Sequence, residues 1–245
     1  MIKKTVRNPT QGLKTAKTLI YKYVDKKTAL FLSGGTTPKL LYEVLAKEKK
    51  LNPGVVVLID ERYGLPFHLN SNEKMIRDTG LLSYLEGKKI PFYSILRLHP
   101  EGVASELAIE YDKAVRGLFT KFRKRIAIMG IGEDGHTAGL PPGIKNSTHS
   151  TSSGLMLSEV EASKLKIQNY VTEIKDFPGE FKERITLTFK ALSKMDLLII
   201  LVFGFAKQRA LKLMFEKGSK EEVPARFYTE PGISEKTILI TDQKV

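Results

Sequence analysis

Short apolar runs that stop abruptly at glycine or at clustered charges divide this chain, and they restrict its fold more than any other feature. Thr28 to Leu32 runs into Ser33-Gly34-Gly35, Val55 to Ile59 into Asp60-Glu61-Arg62, and Arg125 to Met129 into the loop GIGEDGHTAGLPPG from Gly130 to Gly143. Apolar runs of about four to eight residues bounded by turn signals read as buried strands, and segments with helical periodicity separate them. Candidate strands are Ala29 to Ser33, Val55 to Asp60, Arg125 to Met129, Tyr170 to Ile174, Arg184 to Thr188, Asp196 to Phe203 and Lys236 to Ile240. Candidate helices are Pro38 to Lys47, Ser71 to Leu82, Val103 to Thr120, Phe189 to Ser193 and Ala206 to Lys217. In the first of these, Leu40, Leu41, Val44 and Leu45 recur at helical spacing, and Pro38 suits a first turn, where its missing N–H costs nothing. Strands alternating with helices imply an α/β fold with a mainly parallel sheet flanked by helices. The 245 residues, 42% of them hydrophobic, suit one such domain over 1–245.

Open α/β sheets bind ligands at the carboxyl ends of their strands, which is where the three interrupted runs carry chemistry. In the glycine-rich loop, Asp134 stands two residues before the loop's one histidine, His136, which is the natural proton acceptor. The Gly34-Gly35 turn presents backbone N–H groups at a helix N-terminus, where the dipole favours a phosphate, and Ser33, Thr36 and Thr37 add hydroxyl donors. It lacks both GxxxxGK and GxGxxG, so it is neither a Walker loop nor a dinucleotide fingerprint. Asp60, Glu61 and Arg62 cannot all face one pocket, because side chains alternate along a strand; for Glu61 the expected role is a structural ion pair.

Charge raises a competing class. A net charge of +13 is the footprint of a nucleic-acid binder. Its lysines, however, are scattered through Lys47 to Lys50, Lys121 to Arg125 and Lys207 to Lys220, without the aromatic interleaving of a single-strand binder. A solvated basic surface that attracts phosphorylated substrates is expected, with no nucleic-acid partner. The absence of cysteine excludes disulfides, thiolate metal sites and thiol nucleophiles. The basic start MIKKTVRNPTQGLKTAK lacks the apolar core of a signal peptide, and the apolar run Leu197 to Ala206 is too short to span a bilayer. The expectation is a cytoplasmic protein without a membrane partner. Asn146 to Ser153 reads NSTHSTSS and continues into GLMLSEVEASK, so 146–164 reads as a surface insertion that carries His149 as a solvated residue. His99 reads the same way, and His68 lies nearer the chemistry without a motif of its own.

Taken in order, SGGTTP (33–38), Asp60-Glu61-Arg62 with Asn70-Ser71-Asn72, GIGEDGHTAGLPPG, Arg184-Ile185-Thr186-Leu187-Thr188 and Gly204-Phe205-Ala206-Lys207 resemble the 6-phosphogluconolactonase family of the glucosamine-6-phosphate isomerase and deaminase superfamily. The matched blocks spread from about Thr28 to Lys207. The resemblance implies a single Rossmann-like domain of the isomerase/lactonase/CoA-transferase-like kind. It also implies hydrolysis of 6-phospho-D-glucono-1,5-lactone in the oxidative pentose phosphate route, with no metal or organic cofactor. His136 would activate water, with Asp134 orienting the imidazole or the loop; Arg62 with backbone N–H groups would hold the oxyanion, and Asp60 would act as a catalytic acid residue on the sugar near the reacting carbons. Ser33, Gly34, Gly35, Thr36, Thr37, Asn72, Arg184 and Lys207 would bind the phosphorylated sugar. An aminosugar-phosphate isomerase or deaminase is the first alternative, disfavoured because Arg62 fits the lactonase DER pattern and because Pro141 stands where deaminases keep a carboxylate, five residues beyond the histidine. A phosphosugar-sensing module is the second, for which His136 would be surplus. The loop reads HTAGLPPG where the family usually has HTASLFPG, which leaves the packing at Gly139 and Pro141 open.

Overall fold

A computed structural model describes residues 1–143 and 169–244. The expected insertion at 146–164, with His149, lies outside the described residues. In order, the elements are β1 (Ile2–Thr5), α1 (Pro9–Tyr23), β2 (Thr28–Leu32), α2 (Thr36–Glu48), β3 (Val55–Leu58), β4 (Asp60–Arg62), α3 (Asn72–Asp78), α4 (Leu81–Gly87), β5 (Phe92–Tyr93), α5 (Ala104–Lys121) and β6 (Lys124–Gly130). After them come β7 (Val171–Ile174), β8 (Arg184–Leu187), α6 (Phe189–Leu192), β9 (Leu197–Val202), α7 (Gln208–Phe215) and β10 (Thr237–Thr241).

Seven strands form one parallel sheet in the order β1-β10-β9-β6-β2-β3-β5. Every residue of β2, β3 and β10 is buried, which is why these segments read as unbroken apolar runs instead of alternating ones. Burying each large aliphatic side chain contributes about 1.5–3 kcal/mol. The connectivity runs outward from β2 through β3 to β5, then crosses to β6 on the other side of β2 and continues through β9 to β10. The order therefore reverses between β2 and β6. Strands that diverge in this way leave a crevice at their carboxyl ends, and there sit Ser33-Gly34-Gly35 and the His136 loop.

Three expectations are corrected. Tyr170 to Ile174 and Arg184 to Thr188 do not join the parallel sheet: β4, β8 and β7 make a separate antiparallel one. Residues 175–183 are too short a connection for a parallel crossover, so β7 and β8 must run antiparallel. The strand expected over Val55 to Asp60 breaks at Ile59, where the chain passes from one sheet to the other: the Ile59 N–H donates to the Leu32 carbonyl and its own carbonyl accepts from the Leu187 N–H, both at 2.9 Å. The helix expected over Ser71 to Leu82 is two, α3 and α4, parted at Gly80, whose φ of 80° no helix interior admits. Three elements were not expected at all: α1, β1 and the two-residue β5. Helix α1 opens on Asn8, whose side chain accepts from the Gln11 N–H at 2.9 Å with Pro9 in the first turn, and β1 pairs with β10 at the sheet edge.

Buried Asp112 on α5 docks β7. Its Oδ1 accepts from the Tyr170 N–H at 2.5 Å and the Val171 N–H at 3.0 Å, and its Oδ2 accepts from Arg116 Nε at 2.5 Å. Asp112→Ala leaves two backbone donors without their acceptor, so stability falls by ~2–3 kcal/mol. Asp112→Asn retains Oδ1 and should recover most of that in urea unfolding; equal losses in both variants would assign the effect to the ion pair instead.

Candidate active site

A pocket of about 540 Å³ opens over the β2–β6 crevice. All twelve residues singled out from the sequence line it: Ser33, Gly34, Gly35, Thr36, Thr37, Asp60, Arg62, Asn72, Asp134, His136, Arg184 and Lys207. Neither His68 nor His99 does.

The strand ends that deliver these groups are each pinned from below by a buried tyrosine. Tyr42 donates its hydroxyl to the Ser33 carbonyl at 2.8 Å, Tyr111 to the Leu58 carbonyl at 2.6 Å, and the Tyr228 hydroxyl shares a hydrogen bond with that of Thr137 beside His136. Helical aromatic residues read from sequence only as core, so no local signal distinguishes these three.

In the glycine-rich loop, His136 Nδ1 lies 2.6 Å from Asp134 Oδ1, which also accepts the His136 backbone N–H at 3.0 Å. Burial would raise the Asp134 carboxyl, but the ring and backbone hydrogen bonds from His136 prevail and hold it at about 2. A carboxylate on Nδ1 fixes the tautomer with the proton there and leaves the Nε2 lone pair as the basic site. The approach is close: a Cβ on Gly132 would fall 2.0 Å from His136 Nδ1. At Gly139 the loop donates its N–H to Thr186 Oγ1 at 2.9 Å, and a Cβ there would crowd the Thr186 side chain. The departure at this position thus matches a neighbour on β8. Pro141 is buried and does not line the pocket.

The second sheet supplies the cations. In the β4–β8 register Arg62 faces Arg184, so two guanidinium groups share one end of the pocket. Burial pushes Arg184 down to about 10; Asp60 and Asp134 oppose the fall and Arg62 adds to it, and the group stays charged at neutral pH. Arg62 Nη1 donates to Asn72 Oδ1 at 2.5 Å and to the Asn70 carbonyl at 3.0 Å, while its Nε is buried without a partner among the described residues. Two crowded cations suit a site that receives an anion. Asn72 is only 1% exposed, and its amide is fully engaged, since Nδ2 donates to the Asp60 carbonyl at 2.8 Å and to Asp60 Oδ2 at 3.1 Å. It ties Asp60 and Arg62 together.

Glu61 is structural, but not through the expected ion pair. Its carboxyl accepts from the N–H groups of Arg62, Asn72 and Glu73 and from the Ser71 hydroxyl at 2.7–2.9 Å, which fastens the start of α3 to β4. Burial pushes its pKa up to about 7 against those four bonds. The alternation along β4 turns it away from Asp60 and Arg62, into a protein interior where backbone donors, not a cation, are at hand.

Helix α2 completes the site. Its N-cap, Gly35, has φ 105° and no side-chain cap, so the first N–H groups of a 13-residue helix face the pocket. The sequence reading missed Glu133, Phe177 and Pro178, which also line the pocket. Phe177 stands in Asp176-Phe177-Pro178-Gly179, a stretch that reads only as a turn.

Residues 13–238 match the family described as Glucosamine-6-phosphate isomerases/6-phosphogluconolactonase. The chain is 30% identical to the 6-phosphogluconolactonase of Synechocystis sp. over 218 residues, 82% of this chain and 77% of that protein. It is 30% identical to human 6-phosphogluconolactonase over 207 residues, 80% and 72% of the respective lengths. The crystal structure of 6-phosphogluconolactonase from Thermotoga maritima superposes with a TM-score of 0.72 at 23% identity, covering 98% of each chain, and shares its fold. Among the described residues, no helix is long and apolar enough to cross a membrane.

Proposed function

The chain belongs to the glucosamine-6-phosphate isomerase/6-phosphogluconolactonase family, and from that premise we propose that it hydrolyses 6-phospho-D-glucono-1,5-lactone to 6-phospho-D-gluconate in the oxidative pentose phosphate pathway. The observation that carries this reading is the Asp134–His136 pair, with its free Nε2, in one pocket with Arg62 and Arg184. Water attacks the lactone carbonyl at C1 as His136 Nε2 accepts its proton, and Arg62 takes the negative charge that develops on the carbonyl oxygen. Collapse of the tetrahedral intermediate breaks the bond from C1 to the ring oxygen. The ring oxygen recovers the proton from His136, and the new carboxylic acid loses its remaining proton to solvent as the carboxylate product leaves. Asp134 stays ionised throughout and keeps the imidazole in one tautomer. No step needs a metal or an organic cofactor.

The α2 N-terminus, with Ser33, Thr36 and Thr37, and the cations Arg184 and Lys207 hold the 6-phosphate; Asn72 positions Asp60 and Arg62. The basic surface draws in the phosphorylated substrate, and the compartment we assign is the cytoplasm. Deamination of an aminosugar phosphate is not favoured, because buried Pro141 cannot act as the carboxylate of a ring-opening relay.

The test is consumption of freshly generated 6-phosphogluconolactone above its spontaneous hydrolysis. A rate equal to the background, or ammonia release from glucosamine 6-phosphate, would overturn the reading. Arg184→Ala and Lys207→Ala should each raise KM for the phosphorylated lactone about 10- to 50-fold, since a charge-assisted hydrogen bond is lost. Unphosphorylated gluconolactone is the control: equal losses on both lactones would remove the cations from the phosphate.

A further inference from the structure

The geometry points to Phe177 as a positioning residue that fixes Arg184 and His136 relative to one another across the pocket. Phe177 lies on the connection 175–183 between β7 and β8, yet it is only 4% exposed. Its N–H donates to the Lys182 carbonyl at 2.9 Å, which closes the connection on itself and turns the ring inward. The Arg184 guanidinium stacks over that ring, its Cζ 3.4 Å from the centroid. The imidazole of His136 meets the same ring at 5.1 Å between centroids and 82° between planes. Apart from His136, Phe177 is the one aromatic side chain lining the pocket among the described residues.

Arg184 needs such support. It is set opposite Arg62 in the β4–β8 register, and the hydrogen bond that holds its side chain is a long one, from Nε to the Phe181 carbonyl at 3.3 Å. A carboxylate would hold the guanidinium too, but it would cancel the charge that an anionic substrate must find. An aromatic face attracts a cation without neutralising it. The edge contact with His136 also limits rotation of an imidazole otherwise fixed by Asp134. One ring therefore spans the proton acceptor and a phosphate-binding cation. This role rests on the lactonase reading of the pocket for its effect on turnover, but its effect on anion binding does not.

The experiment compares Phe177→Ala, Phe177→Leu and Phe177→Tyr, each checked by thermal unfolding, with inorganic phosphate as a calorimetric probe and both lactones as substrates. Leu keeps the apolar cover and loses the π face, whereas Tyr keeps both. Phosphate affinity should fall about 5- to 30-fold in Ala and Leu and stay within about 2-fold of the starting protein in Tyr. On unphosphorylated gluconolactone, kcat should fall about 10-fold in Ala and less in Leu, because Leu still leaves an apolar side chain against the imidazole whereas Ala frees it. Unchanged phosphate affinity in folded Leu and Ala variants would overturn the inference. So would equal losses in all three that track their melting temperatures, since that pattern marks a purely structural ring. If the unsubstituted protein proves inactive on the lactone, the functional reading fails and the phosphate titration still decides the role of Phe177.

Discussion

His136→Ala should lower kcat on 6-phosphogluconolactone by about 100- to 10,000-fold, the range for losing a general base. The KM should change far less, because the groups proposed to bind the phosphate, Arg184, Lys207 and the start of α2, are separate from this pair in the pocket. The fold should persist: the His136 side chain is 30% exposed, and its contacts are local ones to Asp134 and the edge of Phe177. Spontaneous lactone hydrolysis sets a floor, so the measurement is the enzyme-dependent increment at several enzyme concentrations. A folded variant with near-normal turnover would remove His136 from the mechanism.

Gly132→Ala tests the same base without touching it. The added Cβ would fall 2.0 Å from His136 Nδ1, 2.1 Å from Cε1 and 2.7 Å from Asp134 Oδ1. No such separation survives, and the cheapest relief is for the partly exposed imidazole to rotate away, which breaks the 2.6 Å bond to Asp134. We expect kcat to fall about 100- to 1,000-fold, less than the ~10,000-fold lost with the orienting carboxylate of a catalytic triad, because Asp134 itself remains. The melting temperature should move by only a few degrees, because a flexible side chain absorbs the clash. Retained kcat in Gly132→Ala would mean that the orientation given by Asp134 is not needed for turnover.

Much of the site was legible before the fold was known, and the reason is local. A loop that brings a histidine onto an aspartate two residues away must itself supply the glycine that makes room, so Gly132, Asp134 and His136 appear within five positions of one another. The same holds for Gly34-Gly35 at the start of α2. Resemblance of the ordered blocks did what spacing alone could not, by pointing to a shared pocket for groups as distant in sequence as Thr36 and Lys207. Helix α1 was also legible, through Asn8 and Pro9, but its buried stripe of Gly12, Ala16 and Ile20 carries one large apolar residue and was not recognised.

The rest depended on partners that no local window contains. Phe177 is an ordinary turn residue until Arg184 and His136 close on it, and Glu61 is an ordinary acid until the N–H groups of α3 reach it. The sequence by itself determined the central strands β2, β3, β6, β9 and β10, the helices α2, α5, α6 and α7, and which strand ends carry chemistry, because burial and periodicity are written in neighbouring residues. Only the tertiary structure decided that β4, β7 and β8 leave the parallel sheet for an antiparallel one of their own. Strand pairing is a choice among distant hydrogen-bonding edges that look alike in sequence, and here that choice sets Arg62 against Arg184 and gives the pocket its charge.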